Sequence, residues 1–310
     1  MARYGISSPA DVVTALDACD YLADEGLATT VFLALGLERP LLLEGDAGVG
    51  KTEIAKSIAA WLHTSLIRLQ CFEGIDMAQA LYEWNYSRQL LHLRAVESLD
   101  HGDGSRSIRD VEAELYSKDF LLERPLLAAI DQSQRGASDM PPVLLIDEID
   151  RADDEFEAFL LEILSEFAVT IPELGTIRAS TPPIVILTSN RTRDLHDALK
   201  RRCLYHWVNH PGFDREVQIL RRRAPEVDES LARQVASVVS RIRDADLYKP
   251  PGIAETIDWA RSLALLGETE LDERSVSRTL GALVKYREDE ERLRALDLAS
   301  IIRDTVTRSV

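Results

Sequence analysis

Positive charge is the first thing this sequence is short of. Its 53 acidic residues face 36 lysines and arginines, a formal net charge of −17, and a surface that acidic repels phosphate backbones. That excludes strong non-specific nucleic-acid binding. The two densest basic clusters, Lys200-Arg201-Arg202 and Arg221-Arg222-Arg223, are local, and the second reads as a solvated helix face. Cysteine is scarce too. Cys19, Cys71 and Cys203 are far apart, odd in number and without metal-ligand spacing, which argues against a disulfide framework or a zinc site. They read as reduced thiols, and the expected compartment is the cytoplasm. No apolar run reaches the roughly 18 residues that a membrane span needs, and Met1-Ala2-Arg3-Tyr4-Gly5 lacks the apolar core of a signal peptide. The histidines form no HExxH, and His206 and His210, four apart at a strand end, are poorly placed to share a metal. There are no internal repeats and no long low-complexity tracts.

What is present is the composition of a folded chain: 310 residues, 45% hydrophobic and 29% charged. From Pro40 to His210, apolar strands alternate with helical patterns, as a parallel sheet with covering helices requires. Strand candidates are Leu41-Leu42-Leu43, Ser65 to Gln70, Val143-Leu144-Leu145-Ile146, Ile184-Val185-Ile186-Leu187 and Tyr205 to Val208. Such short continuous apolar runs fit strands buried on both faces. Ile54, Ala55, Ile58, Ala59 and Leu62 recur at helical spacing after the first strand. Asp153 is a natural N-cap for a helix whose face is Phe156, Phe159, Leu160, Ile163, Leu164 and Phe167. Beyond His210-Pro211-Gly212 only helix-periodic patterns remain, which predicts an α/β domain over residues 1–212 and a smaller all-helical domain over 213–310. His101 to Ser107 (HGDGSRS) reads as a mobile polar loop.

The chemistry concentrates in two segments. Gly45-Asp46-Ala47-Gly48-Val49-Gly50-Lys51-Thr52 matches GxxxxGK[ST], with an apolar strand just before it and an amphipathic helix just after. Glycines let the backbone N–H groups turn inward around phosphates, and the helix N-terminus adds a favourable dipole. In that pattern Lys51 reaches the β- and γ-phosphates and Thr52 holds a magnesium ion. Asp147-Glu148 ends the Val143 strand, at the edge where open α/β sheets bind ligands. Asp147 is placed to bind Mg²⁺, directly or through water, and Glu148 to polarise an attacking water as general base. Ile184 to Asn190 ends another apolar strand in an amide; Asn190 can orient the lytic water or contact the γ-phosphate, or simply form a turn.

Together these residues resemble the AAA+ superfamily, and more narrowly a MoxR-type ATPase. Asp147-Glu148-Ile149-Asp150-Arg151-Ala152 is similar to that family's DEINRA signature, with Asp150 in place of asparagine. Phe167 to Ala179 resembles its β-hairpin before sensor 1, and Cys71 to Arg94 its insertion region. The likeness runs from about Ala18 to Leu266. It implies a three-layer α/β P-loop domain with strand order 5-1-4-3-2 and a helical lid, acting as a homo-hexameric ATP- and Mg-dependent ring. Asn190 takes the sensor-1 role, and Arg202 that of an arginine finger reaching a neighbour's γ-phosphate, with Arg201 the adjacent alternative. Tyr21 and Leu22 contact adenine or pack in the core. Phe72, Tyr82, Trp84 and Tyr86 line a central pore or pack within the insertion. The sensor-2 arginine is missing: Pro250 to Thr256 carries none, and Arg261 lies almost two turns further on.

The function so implied is ATP-driven remodelling or maturation of a client protein. The likeness extends to members that help mature a molybdenum-copper carbon monoxide dehydrogenase, and it implies a partner with a von Willebrand factor A domain. A DNA-acting AAA+ motor would share every nucleotide residue, but would want the basic surface this chain lacks. A metabolic P-loop kinase would want a second small-molecule motif, and none is visible.

Overall fold

The computed structural model describes residues 1–99, 108–132, 140–295 and 302; the segment read as a mobile loop, 101–107, lies outside them. In chain order the strands are β1 (Leu41–Glu44), β2 (Leu66–Gln70), β3 (Tyr82–Trp84), β4 (Leu121–Glu123), β5 (Val143–Asp147), β6 (Ala168–Ile171), β7 (Gly175–Arg178), β8 (Ile184–Ser189) and β9 (Leu204–Trp207). The helices are α1 (Pro9–Asp17), α2 (Glu25–Leu37), α3 (Lys51–Trp61), α4 (Met77–Ala80), α5 (Tyr86–Leu99), α6 (Ile108–Leu115), α7 (Pro125–Ile130), α8 (Asp154–Glu166), α9 (Asp197–Arg202), α10 (Phe213–Arg223), α11 (Glu229–Arg243), α12 (Ile253–Leu265), α13 (Glu273–Leu283) and α14 (Arg287–Ala295).

The described residues cluster into two compact units. One contains Met1–Ser8, Thr29–Leu43 and Ile58–His206; the other contains Pro9–Ala28, Glu44–Ser57 and the chain from Trp207 onward. The first unit is built on a five-stranded sheet of order β2-β5-β8-β1-β9. Counting only those five strands, this is the expected 5-1-4-3-2. β2 and β5 run parallel with Gln70 opposite Asp147, and β5 and β8 run parallel with Ile146 opposite Leu187. Every residue of β1 and β5 is buried, because strands covered on both faces have no solvent side for a polar residue. Leu144, Ile146 and Leu187 join Phe156, Leu160 and Ile163 of α8 in the core. Asp153 caps α8 by accepting the Phe156 N–H at 2.8 Å. Two antiparallel strand pairs form sheets of their own, β3 with β4 and β6 with β7; the second is a hairpin, the one expected between Phe167 and Ala179.

In the second unit, α10 to α13 bury Val217, Leu220, Val235, Val239 and Leu280 around the fully buried Trp259. The Trp259 Nε1–H donates to Thr279 Oγ1 at 2.7 Å, so the indole's polar edge is satisfied inside the core. No helix among the described residues is long and apolar enough to cross a membrane.

Candidate nucleotide site

The phosphate loop belongs to the helical unit. Lys51 opens α3 and is 7% exposed; its ammonium donates to the carbonyls of Gly45 and Asp46, each at 2.7 Å. Gly48 holds φ +79°, a conformation that side chains resist. A Cβ on Gly45 would stand 2.3 Å from the Val208 carbonyl oxygen, so only glycine admits that approach. Ala47, Val49 and Gly50 complete the loop, with the Tyr21 ring on the Gly50 side. Burial pushes the Tyr21 phenol well above its usual range. The Leu22 carbonyl accepts from Arg215, which also pairs with Asp24 at 3.1 Å. Thr52 lies in the first turn of α3, half-buried.

The loop also touches the start of α12. The Ile253 N–H donates to the Gly48 carbonyl at 2.9 Å. A Cβ on Gly252 would lie 2.7 Å from Gly48 Cα. This is the stretch in which the sequence offers no arginine at the expected sensor-2 position. Arg261 turns to Glu226 at 3.0 Å and to the Arg223 carbonyl. A half-buried arginine nearby is Arg243. It donates to both oxygens of Glu216 at 2.8 and 2.7 Å, to Pro251 O at 2.8 Å and to Thr256 Oγ1 at 3.2 Å. His210 faces Asp46 at 3.4 Å. Burial and then the Arg243 charge hold its pKa below the usual 6.5, against the opposite pull of Asp46.

The acidic pair belongs to the sheet unit, at the C-terminal ends of β2, β5 and β8. Asp147 is 2% exposed. Its Oδ2 accepts from Arg68 Nε at 3.0 Å and NH2 at 2.5 Å, and its Oδ1 from Thr188 Oγ1 at 2.5 Å. Glu148 follows with a left-handed backbone, φ 55° and ψ 50°, and its N–H donates to the same Thr188 hydroxyl at 2.9 Å. Three donors orient its carboxylate: Gln70 Nε2 at 3.1 Å, Arg151 Nε at 2.9 Å and Asn190 Nδ2 at 3.4 Å. Asn190 therefore meets the glutamate directly. Arg68, Gln70, Arg151 and Thr188 went unread in the sequence. The one signal was that residues 66, 68 and 70 share a pleat face, which puts two polar side chains at the end of a strand whose neighbour only the fold reveals.

Cys71 and Cys203 are buried, and burial pushes their thiols up to about 12, with the carboxylates of Asp147 and Asp150 adding to the effect at Cys71. Such thiols are inert. No group of His, Cys, Asp and Glu among the described residues forms a metal cluster.

Further along the sheet unit, Arg39 clamps the end of α9, donating to the carbonyls of Arg201 at 2.5 Å and Arg202 at 3.1 Å. Both side chains are exposed. The Arg202 guanidinium donates to Leu161 O at 3.0 Å. Arg39, Arg201 and Arg202 line a surface cavity of about 460 Å³, together with Glu38. The aromatic group in the insertion region divides. Trp84 is 8% exposed and packs edge-on against Tyr82 and Tyr116, whereas Phe72 and Tyr86 are 43% and 66% exposed.

A glycine-rich loop between a buried strand and a helix, and a parallel sheet ending in Asp-Glu with an asparagine on the next strand, define a P-loop ATPase. The chain belongs to the AAA domain family, dynein-related subfamily, whose profile matches residues 40–203, more than half its length. It is 22% identical over 283 residues to an uncharacterized protein of Staphylococcus haemolyticus, covering 88% of this chain and 94% of that protein. An uncharacterized protein of Staphylococcus epidermidis is 22% identical over 272 residues, covering 84% and 91%. Among solved structures, the RuvB Holliday junction branch migration motor of Thermotoga maritima is 18% identical, covering 86% of this chain and 71% of that one, with a TM-score of 0.45. A candidate ATPase of Cytophaga hutchinsonii is 13% identical, covering 99% and 94%, with a TM-score of 0.48.

Proposed function

We propose that this ATPase hydrolyses Mg-ATP in a homo-hexameric ring and uses the energy to remodel or mature a client protein. The observation that carries the hydrolytic reading is the setting of Glu148: one carboxylate, oriented by Gln70, Arg151 and Asn190 at a strand end whose other carboxylate is Asp147. The loop Gly45–Thr52 takes the triphosphate, with its backbone N–H groups and the Lys51 ammonium on the phosphates. Glu148 accepts the proton of the attacking water, and Asn190 orients that water beside it.

Magnesium fits the donor chemistry. The Thr52 hydroxyl and the Asp147 carboxylate are hard oxygen ligands of the kind Mg²⁺ selects. When bound, the ion neutralises charge on the β- and γ-phosphate oxygens. Arg68, with a side chain 53% exposed, must release Asp147 Oδ2 for a direct bond, or the ion is held through water.

Arg202, with Arg201 beside it, serves a neighbouring protomer's γ-phosphate. Supporting this, Arg39 fixes the main chain of both residues and leaves their side chains at the surface. The client reading rests on the DEIDRA segment and on the absence of any motif for a second small-molecule substrate. Motion does work only when a client binds its two states differently, and a −17 chain favours a partner with a basic face. The MoxR likeness makes a protein with a von Willebrand factor A domain the partner, and a metalloenzyme such as the molybdenum-copper carbon monoxide dehydrogenase the client.

The test is purification from the native host followed by ATP turnover with each recovered protein added. A co-purifying protein of that domain type that changes turnover is the expected result. Turnover that ignores every protein partner, with retention on DNA at physiological salt, would replace this reading with that of a DNA motor.

A further inference from the structure

Asp150 is where the segment Asp147–Ala152 departs from DEINRA, and the ATPase reading above gives it no task. The residue is 2% exposed, and one short segment after β8 supplies donors to both of its carboxylate oxygens. The Asn190 N–H donates to Oδ1 at 3.2 Å and the Thr192 N–H to Oδ2 at 2.9 Å. The Thr192 hydroxyl stands 2.7 Å from Oδ2 and 3.2 Å from the Asp150 carbonyl. Between those two amides sits Arg191 with φ 56°, while two residues before Asp150 stands Glu148 with φ 55°. Two adjacent parallel strands thus each lead into a non-glycine residue in the left-handed region. Such backbone persists only where its surroundings over-determine it. Asp150 is the side chain that ties one turn to the other.

An ionised carboxylate suits this position because it is acceptor-only. An asparagine offers one oxygen and one NH₂. Whichever way the amide turns, one of the two backbone N–H groups flanking Arg191 meets another donor. With the oxygen toward Thr192, the Asn190 N–H loses its acceptor; with the oxygen toward Asn190, the Thr192 N–H does, while the Thr192 hydroxyl keeps the Asp150 carbonyl at 3.2 Å. Asn190 is the residue whose side chain reaches Glu148 Oε1 at 3.4 Å.

We propose that Asp150 is a positioning residue. It holds the Asn190–Thr192 turn, and through that turn the Asn190 amide that orients Glu148. The inference rests on the assignment of Glu148 as general base only in its effect on turnover.

The experiment compares full-length wild type with Asp150→Asn in three measurements: hydrogen exchange over the Ser189–Arg193 peptide, nucleotide affinity by titration with a fluorescent ATP analogue, and steady-state phosphate release. Exchange should rise about tenfold or more. kcat should fall about 10- to 100-fold, the scale of a misplacement near 1 Å, and affinity should stay within about twofold. Adding Asp150→Asn to Asn190→Ala should then lower kcat little further, since the two act as one unit. Unchanged exchange, unchanged kcat, or affinity falling together with kcat overturns the proposal. Should Asp150→Asn fail to fold, Thr192→Val removes a single donor; it should give the same pattern with a smaller fall, and no fall overturns the proposal equally. If the wild type itself releases no phosphate, it is the ATPase reading that fails, and the exchange measurement decides the positioning claim alone.

Discussion

Lys51 places an ammonium at a position only 7% exposed, against two loop carbonyls. A compact ammonium at the head of this loop is placed to meet phosphate oxygens, with which it makes charge-assisted contacts. Glu148 has a different task, because its carboxylate takes a proton and adds little to holding nucleotide. The two residues should therefore separate cleanly. Lys51→Ala should lose nucleotide affinity by at least about tenfold, since it removes a charge-assisted contact. Glu148→Gln should keep affinity and lose turnover by about 10²- to 10⁴-fold, the usual share of a general base. Fluorescent-analogue titration alongside phosphate release makes the comparison. Wild-type affinity in Lys51→Ala would move the phosphate-binding role elsewhere, and near-normal turnover in Glu148→Gln would do the same for the base.

At the scale of elements, the segment between β9 and α10 carries a pH dependence with a definite sign. Burial and then the Arg243 charge lower the folded-state pKa of His210, and Nδ1 is buried without a hydrogen-bond partner. The folded chain thus favours neutral imidazole, while the unfolded chain takes up a proton near the ordinary 6.5. Below that pH the unfolded state binds more protons, so this contribution to stability is present above 6.5 and lost as pH falls through it toward the lower folded value. Urea midpoints measured at about pH 7.5 and 5.5 should fall further for wild type than for His210→Gln. Equal falls would contradict the assignment.

Elements are also where the sequence is most and least legible. β1, β5 and β8 are continuous apolar runs, and a strand buried on both faces tolerates little else, so their places could be read directly. The loop Gly45–Thr52 and the pair Asp147-Glu148 are consecutive residues, and a linear reading keeps them intact. Gln70 and Thr188 act only because β2, β5 and β8 lie side by side, and strand order is carried by the packing of the whole sheet, not by any local pattern. Asp150 was visible as a departure from a signature; its three donors arrive from the end of β8, some forty residues later. The two readings left for the insertion aromatics reflect the same limit: local pattern does not tell which of Trp84 and Tyr86 a neighbouring element covers.

For the whole molecule, the phosphate loop clusters with the C-terminal helices, while Asp147, Glu148, Asn190 and Arg202 cluster with the sheet. Periodicity along the chain does not carry such a grouping. In the proposed ring, hydrolysis needs Glu148 of one protomer and an arginine of another, so neither variant alone should turn over while a mixture should. An arginine supplied in trans is worth about 10³–10⁵ in rate, well above the background of a phosphate assay. Arg201→Ala, mixed in the same way, shows which of the two arginines is the one used. The decisive measurement is phosphate release by Glu148→Gln alone, by Arg202→Ala alone and by their equimolar mixture, across a range of protein concentrations. Two nearly inactive proteins are expected, with a mixture that regains part of the wild-type rate and a wild-type rate per protomer that climbs with concentration. A fully active Arg202→Ala protein, or wild-type turnover by a monomer that does not vary with concentration, would contradict that proposal.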